Sequence, residues 1–139
     1  MTERRKCVLV VDDEFIIAAG LRVQIEAMGI EVCGVAATAQ QAVELANLHQ
    51  PAVVIMDARL RGSDDGVCTA DLISNAVESS IIFLTGSREP AMIARMESAH
   101  PSTILFKPVF EQQLQAAIEK AFRARRPQCR AAGAQSVPP

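Results

Sequence analysis

Five short apolar runs, each followed by a stretch long enough for a helix, alternate along residues 7–124, and this alternation restricts the fold more than any other feature. Such an order builds strand–helix–strand units, in which right-handed crossovers lay helices on both faces of a parallel sheet. The runs are 7–11 (CVLVV), 31–36 (EVCGVA), 52–56 (AVVIM), 81–84 (IIFL) and 103–106 (TILF). The first, third and fourth are almost wholly apolar, as expected of strands covered on both faces. Between them, 15–28 places Ile16, Ile17, Ala19, Leu21, Ile25 and Met28 on roughly one helical stripe, ended by Gly29. Thr38 reads as the N-cap of a second helix with Ala42, Val43, Leu45 and Ala46 on its apolar side, and Pro51 prevents its continuation beyond His49. Stretches 66–75 and 90–97 are shorter helices, the latter opened by Pro90, and 110–124 carries Leu114, Ala117, Ile118 and Ala121 at helical spacing.

The chain has 139 residues, half of them apolar, which fits one domain with a core that needs neither metal nor disulfide. A disordered or disulfide-stapled chain is thereby excluded. No apolar run approaches the roughly 20 residues that span a bilayer, and the five apolar residues after Arg4, Arg5 and Lys6 are too few for a signal peptide. Cys7, Cys33, Cys68 and Cys129 form no CxxC pair and read as reduced thiols, which places the protein in the cytoplasm. Residues 1–119 carry 9 basic and 16 acidic side chains, whereas 120–139 carry 5 basic and none acidic. Residues 1–124 read as the folded domain and 125–139 as a disordered basic tail rich in Pro and Ala.

In open parallel sheets ligands bind beyond the carboxyl ends of the strands. Asp12, Asp13 and Glu14 follow the first strand, Asp57 the third, Thr85 and Gly86 the fourth, and Lys107 and Pro108 the fifth. Carboxylates, a hydroxyl and an ammonium thus converge on one edge. Two carboxylates about 5 Å apart repel by roughly 3 kcal/mol even at an effective dielectric of about 20, so the cluster calls for a cation. Mg²⁺, or Mn²⁺, suits oxygen ligands and keeps waters that phosphate oxygens replace. One aspartate beside such an ion can act as a nucleophile in phosphoryl transfer. Asp57 stands alone at its strand end and is the candidate; Asp12 and Asp13 form the metal pair, and Thr85 offers a hydroxyl to the new phosphoryl group.

These residues resemble the receiver domain of two-component response regulators across residues 6–122, with VLVVDDE, VVIMDARL, IIFLTGS and ILFKPVF in order. The resemblance implies a flavodoxin-like (βα)5 three-layer sandwich with strand order 2-1-3-4-5. It makes Asp57 the phosphoacceptor, Asp12 and Asp13 the metal pair, Thr85 the hydroxyl partner and Lys107 the phosphate counter-ion. It adds the backbone carbonyl of Arg59 as a further metal ligand and a cis Lys107–Pro108 peptide, while Gly86 lets its loop approach the phosphoryl group. The chain departs from the family in three places: Ile104 replaces the usual aromatic three residues before the lysine, Arg59 is a long cation near the acceptor, and RLRGSDDG replaces a short Met-Pro turn. FLTGS partly resembles the Phe-Ala-Thr-Gly motif of a stand-alone subgroup from stress signalling.

The function expected is a stand-alone phosphorylation switch and no enzyme beyond self-phosphorylation and slow self-dephosphorylation. A histidine kinase or phosphotransfer protein would be the donor. The surface around the fourth and fifth helices would bind a downstream protein, with a homodimer through those helices as an option. The alternatives are a degenerate receiver that binds partners without phosphorylation, a metal-dependent aspartyl-phosphate phosphatase, and a flavin module. DDEFI in place of DxDxT speaks against the phosphatase, and an acidic pair where a flavin phosphate would sit speaks against the flavin module. Each residue also has a more ordinary reading: helix caps for Asp12, Asp13 and Asp57, a turn for Thr85, Asp64 and Asp65, and core for Met92, Ile93 and Met96. The cluster Lys120, Arg123, Arg125, Arg126 and Arg130 reads as a solvated end, and with so few aromatics to stack on bases neither sequence-specific DNA binding nor a membrane role is expected.

Overall fold

The computed structural model describes residues 5–60 and 65–124. In chain order the elements are β1 (Arg5–Val11), α1 (Phe15–Ala27), β2 (Glu31–Ala36), α2 (Ala39–His49), β3 (Pro51–Asp57), α3 (Gly66–Ala76), β4 (Ser80–Thr85), α4 (Pro90–Ser98), β5 (Thr103–Phe106) and α5 (Glu111–Ala124). All pairings are parallel and the sheet order is β2-β1-β3-β4-β5, as the resemblance implies. The expected 125–139 tail and Asp64 lie outside the described residues. No helix among the described residues is long and apolar enough to cross a membrane.

Side-chain alternation along the strands divides the core in two. Leu9, Val11, Val54, Met56, Ile81 and Phe83 pack with Ala42 and Ala46 of α2, Ala70 and Ile73 of α3, and Met96 of α4. Val8, Val10, Val53, Ile55, Ile82 and Leu84 pack on the other face with Ala18, Leu21 and Ile25 of α1 and Leu114, Ala117, Ile118 and Ala121 of α5. Every residue of β3 is buried, so its sequence had to be apolar until the chain reached Asp57. Met96 is wholly buried core, while Met92 and Ile93 are half-buried against the same cluster.

Local signals act where the sequence placed them. Thr38 Oγ1 accepts the Gln41 N–H at 3.1 Å, and Gly29 takes φ +84° just past the end of α1, a conformation that costs glycine little. One stripe differs. On α1 the buried residues are Ala18, Leu21 and Ile25, whereas Ala19 is exposed and Ile16 and Ile17 are 80% and 42% exposed. The three buried positions follow the 3.6-residue period and Ile16 lies off it, whereas Ile17, four residues before Leu21, sits at the edge of the stripe in the first turn and stays 42% exposed.

Two glycines differ in what they permit. At Gly86 an added Cβ would meet nothing within 4 Å, so crowding does not require glycine there. At Gly66 it would lie 2.0 Å from the Asp57 carbonyl oxygen and 2.9 Å from Ala58 backbone atoms. Gly66→Ala must therefore push α3 away from the end of β3, and it is expected to destabilise the fold by about 1–3 kcal/mol. Gly86→Ala is expected to change stability by no more than about 0.5 kcal/mol. Urea unfolding of both variants checks the contrast, which equal midpoints would contradict.

Candidate functional site

The ladder hydrogen bonds continue one residue past the strands, and this continuation aligns the site. Asp12 N donates to Ala36 O at 3.0 Å, Ala58 N to Leu84 O at 2.9 Å and Lys107 N to Thr85 O at 2.8 Å. These bonds tie the end of β1 to β2 and join the ends of β3, β4 and β5, while β1 and β3 pair up to Val11 and Met56, so the residues that follow the strands share one cleft. Asp13, Glu14, Asp57, Arg59, Thr85 and Lys107 line it. The Lys107–Pro108 peptide is cis, as expected from the resemblance.

Carboxylate oxygens of Asp12, Asp13 and Asp57 lie within 4.8 Å of one another. At that separation each charged pair repels by roughly 3.5 kcal/mol at an effective dielectric of about 20. Lys107 supplies one compensating charge, its Nζ 3.5 Å from Asp57 Oδ2 and 3.9 Å from Asp12 Oδ2. Backbone supplies more: Glu14 N–H donates to Asp12 Oδ1 at 2.9 Å and Arg59 N–H to Asp57 Oδ1 at 3.1 Å. Neither aspartate caps α1, whose cap residue is Glu14 and has no side-chain capping bond. Asp12 Oδ2 is buried without a hydrogen-bond donor. A buried carboxylate oxygen left in that state costs free energy that a divalent cation would recover, and three carboxylates suit a hard cation with oxygen ligands. The residues present fit Mg²⁺ or Mn²⁺ on that ground.

Burial raises the carboxyl pKa of both Asp12 and Asp57. For Asp12 the Glu14 N–H opposes the rise and the neighbouring Asp57 charge adds to it; for Asp57 the Arg59 N–H and Lys107 oppose it. Thr85 is buried, and its Oγ1 accepts the Ser87 N–H at 3.0 Å, so the hydroxyl is held by its own loop. Ile104 packs half-buried against the α4 side of the core. Its cross-strand partner is the buried Phe83, and on the same strand the ring of Phe106 has the Arg88 guanidinium 4.3 Å from its centroid.

The structure therefore brings Asp12, Asp13, Asp57, Thr85 and Lys107 together with Arg59 at the rim, where its side chain is exposed. Three features escaped the sequence reading. Asp65 is more than a turn residue: it caps α3, accepting Val67 N–H at 2.8 Å and Cys68 N–H at 3.2 Å, and it pairs with Arg95 at 2.8 Å. Gly66 presses on the backbone of Asp57, and Arg88 covers Phe106. A cap before an apolar helical run could have been read from the sequence; the Arg95 and Arg88 contacts carry no local signal.

Comparison with known proteins agrees with this geometry. The family profile described as response regulator receiver domain matches residues 8–119. The transcriptional regulatory protein PdtaR of Mycobacterium tuberculosis is 35% identical over 114 residues, 82% of this chain and 55% of that protein. The phyllosphere-induced regulator PhyR of Methylorubrum extorquens is 28% identical over 116 residues, 83% of this chain and 43% of its own length. The chain thus spans about half the length of these relatives. Among solved structures, the signal receiver domain of a modulated diguanylate cyclase from Desulfovibrio desulfuricans superimposes with a TM-score of 0.80 at 35% identity, covering 85% of this chain and 94% of that one. A CheY-like receiver domain from Methanospirillum hungatei shares the fold, with a TM-score of 0.79 at 21% identity over 86% of this chain and 95% of its own.

A carboxyl whose pKa is higher in the folded than in the unfolded chain contributes stability that is fully present below the unfolded pKa and is lost as pH rises through the folded value. At neutral pH the ionised cluster of the metal-free protein therefore opposes folding. Asp12→Asn, which keeps an oxygen for the Glu14 N–H, is expected to raise the thermal midpoint at neutral pH, with a gain that shrinks as pH falls into the ordinary carboxylate range. Calorimetry across that range checks it, and a midpoint lowered at neutral pH contradicts it.

Proposed function

Because the chain belongs to the response regulator receiver domain family, consistent with two-component signalling, we propose that it is a phosphorylation switch whose acceptor is Asp57. The single observation that carries this reading is the convergence of Asp12, Asp13 and Asp57 within 4.8 Å, with Lys107 3.5 Å from Asp57. Asp12, Asp13, Asp57 and the backbone carbonyl of Arg59 would hold Mg²⁺ or Mn²⁺. Such an ion, when bound, neutralises charge on phosphoryl oxygens.

In the transfer step an Asp57 carboxylate oxygen attacks the phosphorus of a phosphohistidine. The new O–P bond forms as the N–P bond breaks, the electron pair stays on the imidazole nitrogen, and Asp57 becomes an acyl phosphate. The Lys107 ammonium offsets charge on the transferred group without reorganising, since it already lies beside Asp57. Thr85 redirects the hydroxyl proton that it now gives the Ser87 carbonyl at 3.5 Å to a phosphoryl oxygen, which moves the loop after β4. The protein is an acceptor and no turnover enzyme, beyond self-phosphorylation and slow self-dephosphorylation. The donor is a histidine kinase or phosphotransfer protein, and the output is a protein partner read through the surface of α4, β5 and α5. Phe15 and Ile16, 83% and 80% exposed at the start of α1, follow Asp13 and Glu14 of the cleft in the chain and offer the donor an apolar seat.

Intact mass after incubation with acetyl phosphate tests the reading. A gain of one phosphoryl group that requires both Mg²⁺ and Asp57, and is absent from Asp57→Asn, is the expected result; an equal gain by Asp57→Asn would sink the assignment. Lys107→Ala is expected to slow uptake on the order of a hundredfold, whereas Ile104→Ala leaves it nearly intact. Ile16→Glu is expected to slow transfer from a protein donor and to leave uptake from acetyl phosphate unchanged; equal effects on both routes would remove Ile16 from the donor surface.

A further inference from the structure

We infer that the Asp65–Arg95 ion pair is the strut through which the state of Asp57 is communicated to α4, an inference that rests on Asp57 being the phosphoacceptor. Two ties bind Asp57 to the start of α3. The first runs through hydrogen bonds: Arg59 N–H donates to Asp57 Oδ1 at 3.1 Å, Arg59 pairs with Asp65 in an isolated antiparallel bridge, and Gly66 N–H donates to the Ala58 carbonyl at 3.1 Å. The second is steric, because the Gly66 Cα sits where even a methyl group would collide with the Asp57 carbonyl oxygen. A displacement at the end of β3 is therefore passed to Asp65.

Asp65 hands it on to α4. Its Oδ1 is fixed by the Val67 and Cys68 N–H groups, which leaves Oδ2 to receive the Arg95 guanidinium at 2.8 Å. Burial acts to raise the Asp65 carboxyl pKa, yet hydrogen bonds from Cys68 N–H, Arg95 and Val67 N–H hold it below the ordinary value. One partner of this pair is thus already ordered by a helix N-terminus, which removes part of the entropy that weakens most surface ion pairs. The other partner stands on a lightly anchored helix, since Met96 is the one fully buried residue among the nine of α4. A modest contact biases a helix held so loosely more than it would a well-packed one.

Phosphorylation changes the near end of this chain of contacts. One oxygen of Asp57 becomes the bridging oxygen of an acyl phosphate, and a group of about two negative charges arrives beside the Arg59 N–H. The partner of that amide alters, Arg59 and Asp65 shift as a unit, and Arg95 follows or lets go. This route does not pass through Thr85 or Ile104.

Hydrogen exchange of α4 amides in the full chain, with and without acetyl phosphate and Mg²⁺, tests the strut in wild type, Arg95→Gln and Asp65→Asn. Asparagine keeps the oxygen that caps α3 and removes the charge that Arg95 pairs with. The expected result is a severalfold change of α4 exchange on phosphorylation in wild type, reduced to less than half in both variants, with phosphoryl uptake within about twofold of wild type. A merely structural pair would shift exchange equally in the two states and leave their difference intact. An undiminished difference in the variants overturns the inference, as does a wild-type α4 that ignores phosphorylation while the mass gain occurs. No mass gain in wild type overturns the acceptor reading itself, and with it the strut.

Discussion

Asp12, Asp13 and Asp57 repel one another, and the sheet gives them no room to part. The ladder bonds from Asp12 to Ala36, Ala58 to Leu84 and Lys107 to Thr85 carry strand alignment one residue beyond each strand, and the two-sided apolar core holds that alignment rigid. The edge is consequently a stored electrostatic tension, relieved in part by Lys107 and by two backbone N–H groups. What the site does follows from how that tension is relieved further. A divalent cation would take up the buried oxygen of Asp12 that lacks a donor, and a phosphoryl group transferred as proposed would find its charge opposed by Lys107.

The same arrangement would give the proposed reaction at Asp57 a route to distant elements. Asp57 closes a fully buried strand, so its surroundings resist gradual deformation, and change is routed into the loops beyond β3 and β4. On the β4 side, Thr85 is held by Ser87, and Arg88 lies over Phe106. On the β3 side, Gly66 and Asp65 couple the strand end to α3 and, through Arg95, to α4. Ile104 stands where an aromatic side chain is usual in such domains, and it pairs across the sheet with the buried Phe83.

Much of this was legible in the sequence because the sheet imposes a simple rule: whatever follows each strand shares one edge. Asp12, Asp57, Thr85 and Lys107 could be located from the ends of their apolar runs alone, and the alternation supplied the five strands and five helices. The strand order came from family resemblance, since alternation alone leaves it open. The failures have physical causes. Ile16 and Ile17 are apolar yet exposed, and composition cannot reveal that a helix has turned them away from the core. The steric demand on Gly66 arises where α3 meets the Asp57 backbone, a meeting that no motif around Gly66 signals. Arg95 and Asp65 meet only because α3 and α4 lie side by side, and no periodicity encodes that meeting.

Carboxylate crowding at the strand ends would build a divalent-cation site, and calorimetric titration of the full chain with Mg²⁺ tests this by comparing wild type with Asp12→Asn and Asp13→Asn. One ion per wild-type chain and a loss of affinity of at least about tenfold in each variant are expected, the order of effect that follows from removing a charged ligand of a hard cation. Equal affinity in all three proteins, or no saturable binding by wild type, would contradict it.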